Sequence, residues 1–202
     1  FVNTSKNWDN WNMIVNSLQK TDDPIKIAMV GKYVTLADSY VSVNEALKHA
    51  SASIGKSVNI DWIDSETLNG NLKQLDNFDG VLVPGGFGTR GSEGIIDTAT
   101  YALEKNIPYL GICFGFQLAA IAFGRKMCNL ENANSTEIVA DTKHPIIDLL
   151  PEQKDETDMG GSLRLGANEI KINQDSLAYK IYNSDKIFKR HRHRYEFNTK
   201  YR

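Results

Sequence analysis

Tyr109-Leu110-Gly111-Ile112-Cys113-Phe114-Gly115-Phe116-Gln117 is an apolar run that ends in a cysteine between two glycines and then turns helical. Residues 107–110, with Pro108 among them, read as the end of a buried strand. Residues 114–123, with Leu118, Ala119, Ile121 and Ala122, read as a helix. Gly-x-Cys-x-Gly therefore falls at a strand-to-helix turn, where glycines permit a cramped bend and the side chain is pushed out above the sheet. The free N–H groups of the helix terminus favour a thiolate there. Two plainer accounts of the same five residues stay open: a free cysteine as a small buried hydrophobe, and the glycines as an ordinary turn. Cys128 has no such frame and reads as structural.

Working outward, residues 25–30 form a short apolar run closed by Gly31, a first buried strand. Ser42 and Glu45 form an S-x-x-E capping box ahead of Ala46, Leu47, Ala50 and Ile54, with Gly55 placed to end that helix. Val58, Ile60 and Trp62 alternate with polar residues as a second strand. Val81-Leu82-Val83 makes a third, followed at once by Pro84-Gly85-Gly86-Phe87-Gly88. Residues 93–106 carry Ile95, Ile96, Ala99, Ala102 and Leu103 on one helical face. Strands alternating with helices imply an α/β fold of the flavodoxin-like, doubly wound kind, with a largely parallel sheet and helices on both faces. In such sheets the working site lies beyond the carboxyl ends of the strands, which makes the glycine-rich loop and Cys113 neighbours. Gly86 can then supply an N–H to an oxyanion beside that of Phe114. A plain tight turn or a phosphate cradle competes for the loop, but the lysine and Ser/Thr of a P-loop are missing.

Upstream, Trp8, Trp11, Val15 and Leu18 fall at helical spacing, with Thr4 or Ser5 as N-cap, and residues 20–24 break that helix. It reads as a connector or as a packed N-terminal helix. Downstream, residues 159–166 and 168–172 read as short strands with turns, and residues 187–198 alternate weakly as another.

The 202 residues, 41% of them hydrophobic, suffice for one well-buried domain. A formal charge of −2 and a pI near 6.1 give no electrostatic case for nucleic acid or an acidic membrane surface. Two cysteines make no disulfide framework, which points to a reducing, cytoplasmic compartment. No run approaches the ~20 apolar residues of a membrane span, and no His/Cys cluster has metal-ligand spacing. His191 and His193 alternate within the basic run 189–194, as surface residues do. The chain opens on Phe1 rather than methionine, so it is expected to be a piece of something longer.

These motifs resemble the class I glutamine amidotransferases and, within them, the glutaminase domains of the CTP synthases. The resemblance rests on Val30-Gly31-Lys32-Tyr33-Val34, Asp38-Ser39-Tyr40, Ser42-Val43-Asn44-Glu45-Ala46-Leu47, the Pro84–Gly91 loop and the Cys113 elbow. It continues through Ala133-Asn134-Ser135-Thr136-Glu137, Met159-Gly160-Gly161-Ser162-Leu163-Arg164-Leu165-Gly166 and Arg190-His191-Arg192-His193-Arg194-Tyr195-Glu196. It implies that Cys113 attacks the side-chain amide of L-glutamine, with Gly86 and Phe114 as oxyanion donors. It further implies that Gln117, Glu137 and Arg194 hold the amino-acid end of the substrate, with Phe87, Gly115, Phe116 and Tyr195 completing the binding set. The family passes ammonia to a synthase domain of the same polypeptide that makes CTP from UTP with ATP and magnesium; GTP activates it, and the intact protein is a tetramer. No cofactor is expected within residues 1–202. By the same likeness, residues 1–24 connect to the synthase domain and residues 25–202 form the amidotransferase domain, cut short at its C-terminus.

One departure stands out. The family completes its cysteine with a histidine and a glutamate in a His-Pro-Glu stretch downstream of the Arg194 motif, and none follows before Arg202; His144-Pro145-Ile146 precedes Arg194 and corresponds to another segment. Two further readings remain: another elbow-cysteine hydrolase, against which the Glu137 and Arg194 motifs speak, and a non-catalytic glutamine-binding or assembly module.

Overall fold

The computed structural model describes residues 8–20, 22–34, 36–68, 70–149 and 164–202. Helix α1 (Asp9–Gln19) leads into β1 (Ile25–Gly31), α2 (Val41–Ser53), β2 (Val58–Asp64), β3 (Gly80–Val83), α3 (Ser92–Lys105), β4 (Tyr109–Gly111) and α4 (Phe114–Met127). The four strands form one parallel sheet in the order β2-β1-β3-β4. Alternate residues of the central strands feed two cores, because successive side chains of a strand point to opposite faces. Ala28 and Val30 of β1, with Val81 and Val83 of β3, pack among Ile95, Ile96, Phe114 and Leu118 of α3 and α4. Met29 and Leu82, from the same strands, face the other way onto Tyr40, Val43 and Leu47, at and within the start of α2. Helices thus cover both faces, as the doubly wound reading requires.

The chain continues through β5 (Ala133–Ser135), β6 (His144–Leu149), β7 (Arg164–Lys171), α5 (Leu177–Tyr182), β8 (Lys186–His193) and β9 (Tyr195–Phe197). A second sheet has the order β5-β6-β9, and β7 pairs with β8 as a separate antiparallel hairpin. Helix α4 joins the layers: Leu118 and Ile121 are fully buried in the core shared with Ala133, Ile146 and Ile147 of the second sheet.

Several local expectations are corrected. The Ser42/Glu45 capping box does not form. A 3₁₀ turn (Ala37–Tyr40) runs straight into α2, which makes Tyr40 the N-cap without a side-chain bond, and Glu45 pairs instead with Lys48 at 2.7 Å. Gly55, with φ of +70°, does follow the end of that helix. The strand before Cys113 is the end strand of its sheet among the described residues, and Leu110 is 56% exposed rather than buried. On α3 the buried face is Ile95, Ile96, Thr98, Ala99 and Ala102, while Leu103 borders a groove floored by alanines. Residues 164–171 form one strand held along its length by β8, where two short ones are expected. Conversely, the alternation of residues 187–198 is split at Arg194, where the chain leaves the hairpin for the second sheet. Thr4 and Ser5 and residues 159–163 lie outside the described residues. The N-cap of α1 is Trp8, without a side-chain bond. This helix rests on α2, although Trp8, Trp11, Val15 and Leu18 stay largely exposed.

Because Ile121 sits in the core where both sheets meet, Ile121→Ala is expected to destabilise the domain by about 2–5 kcal/mol in urea unfolding. Leu177→Ala, at a residue 72% exposed, is expected to change stability by less than about 0.5 kcal/mol.

Candidate active site

Cys113 is the N-cap of α4 and holds φ 52° and ψ −105°, a conformation that non-glycine residues rarely occupy. Close backbone approach explains how it is imposed. Ile112 N–H donates to Val83 O at 2.9 Å, Gly115 N–H to Ile112 O at 3.0 Å, and Gln117 N–H to Cys113 O at 3.0 Å. A Cβ on Gly111 would lie 2.5 Å from the backbone of Gly115 and Phe116, and one on Gly115 would strike the carbonyl of Val83. The two glycines of the motif are therefore where strand and helix cross, and the cysteine between them takes up the bend. Tyr109, whose hydroxyl donates to Gly115 O at 3.0 Å, ties the strand to the first turn of the helix.

The thiol is not tuned as the helix terminus alone would tune it. Burial pushes the Cys113 pKa up and Glu137 adds to the rise, while the Phe114 N–H bonding to the sulfur pulls down without prevailing. Desolvation of the charged form outweighs one backbone donor, so the net direction runs against the thiolate that a helix terminus favours.

The Pro84–Gly91 loop lies beside the cysteine, where a Cβ on Gly85 would sit 3.7 Å from that of Cys113. Gly86 packs on the ring of Phe114, its added Cβ only 3.4 Å from that ring. The Phe87–Gly88 peptide is gripped on both sides: Gly88 N–H donates to Glu137 Oε1 at 2.8 Å, and Lys32 Nζ donates to Phe87 O at 2.8 Å. Lys32 also donates to Gly88 O at 2.6 Å. Phe87 itself projects outward, 69% exposed, with its ring 6.4 Å from that of Tyr33. Lys32 has no role in the sequence reading. The signal that could have found it is its place directly after Gly31, at the carboxyl end of a central strand and so at the working edge.

Cys113 opens into a cleft with Phe116 and Gln117 on one side and Arg192, His193 and Tyr195 on another. Gln117 is buried and donates through Nε2 to Tyr195 O at 2.8 Å. The same carbonyl is 3.1 Å from His193 Nδ1, and His193 Nε2 is 3.0 Å from His191 Nδ1. The two histidines read as surface residues thus line the cleft. Glu137 follows β5, close enough that its charge raises the pKa of both Cys113 and Tyr195, burial being the larger cause in each. Arg194 occupies the joint between β8 and β9, next to Tyr195. His144 begins β6 with its ring against Tyr201, away from the cleft. Cys128 follows α4 as its C-cap and is exposed, and Cys113 is exposed as well, which removes the plain account of Cys113 as a small buried hydrophobe. Among the described residues no group of three or more His, Cys, Asp and Glu is placed to hold a metal ion, and no helix is long and apolar enough to cross a membrane.

Residues 35–201 match the family described as glutamine amidotransferase class-I. The chain belongs to the class-I glutamine amidotransferases. Among curated relatives of this amidotransferase, it is 54% identical over 194 residues to the CTP synthase of Halalkalibacterium halodurans. It is 50% identical over 195 residues to that of Archaeoglobus fulgidus. Each match takes in 95% of this chain but 36% of the relative, so the chain spans about a third of their length. A solved structure titled as the glutaminase domain of Trypanosoma brucei CTPS with bound acivicin superposes with a TM-score of 0.81 at 37% identity. That superposition covers 88% of this chain and 69% of the other.

For this amidotransferase, alkylation of Cys113 by iodoacetamide, resolved from Cys128 by peptide mapping, is expected to accelerate with pH through a midpoint above the ordinary thiol value of about 8.5. Glu137→Gln is expected to move that midpoint down, since it removes a negative charge that opposes ionisation. A wild-type midpoint below the ordinary value would mean that the helix terminus governs the thiol after all.

Proposed function

We propose that this chain hydrolyses L-glutamine to glutamate and ammonia through a thioester on Cys113. The sulfur attacks the side-chain carbonyl carbon, and the amide oxygen takes up negative charge facing the N–H groups of Gly86 and Phe114. The C–N bond then breaks, ammonia leaves once its nitrogen has gained a proton, and the γ-glutamyl thioester is opened by water to regenerate the thiol. The observation that carries this reading is the strained turn at Cys113 with the glycine loop packed beside it. In this reading Glu137 meets the ammonium of glutamine and Arg194 its carboxylate, by charge-assisted hydrogen bonds. Gln117 and Tyr195 shape the floor, and Phe87, Gly115 and Phe116 the walls.

The proton for the leaving nitrogen and the activation of water are general acid–base work. They fall to the family's His-Pro-Glu stretch, which matches nothing up to Arg202. In the whole polypeptide, the ammonia would serve the amination of UTP to CTP in a synthase domain using ATP and magnesium, with GTP as activator and a tetramer as the assembly. The CTP synthase relatives, which run well beyond this chain, support that placement.

A glutamine-mimicking electrophile such as a chloro-dihydroisoxazole amino acid is expected to add one label, on Cys113 and not on Cys128, read by peptide mass mapping. Label on Cys128 would overturn the assignment. Separately, Arg194→Ala in a Cys113→Ala background is expected to weaken glutamine binding by ~1.5–3 kcal/mol in isothermal titration, the worth of a hydrogen bond between charged groups. Unchanged affinity would place Arg194 outside the substrate clamp.

A further inference from the structure

Lys32 is 6% exposed, an uncommon setting for an ammonium that no carboxylate touches within hydrogen-bond distance in the described contacts. Its partners are two backbone carbonyls, Phe87 O at 2.8 Å and Gly88 O at 2.6 Å, and its Nζ stands 4.3 Å from the centre of the Phe114 ring. Both neighbours matter, because Phe87 follows Gly86 and Phe114 follows Cys113. The ammonium thus holds the backbone just after Gly86 and lies over the ring of the residue just after Cys113. It grips the carbonyl side of the Phe87–Gly88 peptide, whose N–H side is held by Glu137 at 2.8 Å. Fixing that peptide plane from both sides limits how the preceding Gly86 can turn, and glycine has little steric restraint of its own. Arg90 closes the frame by donating to Lys32 O at 2.9 Å while paired with Glu66 at 2.9 Å.

We propose that Lys32 is a positioning residue for carbonyl attack: its ammonium clamps the glycine loop so that the Gly86 N–H stays aimed at the atom Cys113 attacks. This inference rests on the glutaminase reading. It adds to it a requirement for a positive charge under the loop, beyond the glycines themselves. Burial, with Arg90, lowers the Lys32 pKa to about 8 against the opposing charges of Glu137 and Glu66. Tyr33, Tyr40 and Cys113 complete the titratable surroundings. The clamp is therefore charged below about pH 8 and loses its charge above it.

The test separates attack on a carbonyl from attack on a saturated carbon. With L-glutamic acid γ-(p-nitrophenyl) ester, the Cys113 sulfur forms an S–C bond and the ester C–O bond breaks. Its electron pair departs with p-nitrophenolate, so no protein acid is needed and the burst of yellow product reports acylation. Iodoacetamide alkylates the same sulfur without an oxyanion, so the ratio of the two rates cancels the ionisation of Cys113. Lys32→Met is expected to lower that ratio on the order of tenfold to a hundredfold, the effect of a misaimed catalytic group, while Lys32→Arg restores most of it. In the wild type the ratio is expected to fall as pH rises through about 8, and with Lys32→Arg to stay level there, since a guanidinium keeps its charge. A variant that merely fails to fold would lose alkylation selectivity at Cys113 and its thermal transition together, and Lys32→Arg then carries the test through its pH profile. An unchanged ratio in folded Lys32→Met, or an identical pH profile in Lys32→Arg, would overturn the proposal. A wild type that the ester does not acylate at Cys113 would instead overturn the glutaminase reading.

Discussion

Everything at this site depends on one close backbone crossing, where the end of β4 runs over the start of α4 with no Cβ between them at Gly111 or Gly115. Because the helix starts within contact of Val83 O, the residue between the glycines cannot stay in an extended or helical conformation and is forced to φ 52°. Strain of this kind is of order 1–3 kcal/mol and persists only where the surroundings over-determine it. Here the surroundings are a fully buried helix face, with Leu118 and Ile121 locked between two sheets. The bulk of the core thus maintains a local conformation that local interactions alone would abandon.

The electrostatics of the cleft work against ionisation of Cys113 as much as for it. Glu137 is near enough to oppose ionisation of Cys113, yet it is also the carboxylate that fixes Gly88. A carboxylate that holds a loop imposes its charge on everything nearby, and under the proposed function the free site is the state in which that charge is least compensated. A zwitterionic amino acid bound there would bring its own ammonium to Glu137 and lift part of the penalty on the thiolate. Substrate binding and activation of the sulfur are then coupled through one carboxylate.

Much of this was legible in the sequence because it rests on periodicity and on glycine. The order of strands and helices, the turn at Cys113 and the adjacency of the Gly85–Gly88 loop follow from short-range patterns. What escaped depends on long-range packing. The capping signal at Ser42 was overridden by a 3₁₀ turn that delivers the chain to α2 already coiled. Leu110 looks buried in an apolar run, but nothing in its neighbours says that its strand ends the sheet. Arg194 stands out by resemblance, but nothing in the basic run around it says that it sits where the strand changes sheets. Lys32 carries no local sign that its ammonium turns inward, because its partners are carbonyls 55 and 56 residues away.

Strand β4 is held in register by β3 on one side, through Val81↔Tyr109, Leu82↔Leu110 and Val83↔Gly111. Mechanically it resembles a beam clamped along one edge, with Cys113 at its tip and α4 as the strut beneath. The foot of that strut presses on the second sheet, where Gly124 meets the side chain of Ile146 so closely that a methyl group would not fit. The packing of α4 on β6 is therefore set at Gly124 by the reach of one side chain, Ile146, as the packing of its first turn on β3 is set at Gly115. A change of size at Ile146 is thus a change to the seat of the helix that begins at Cys113, although it lies in a different sheet and 33 residues further along the chain.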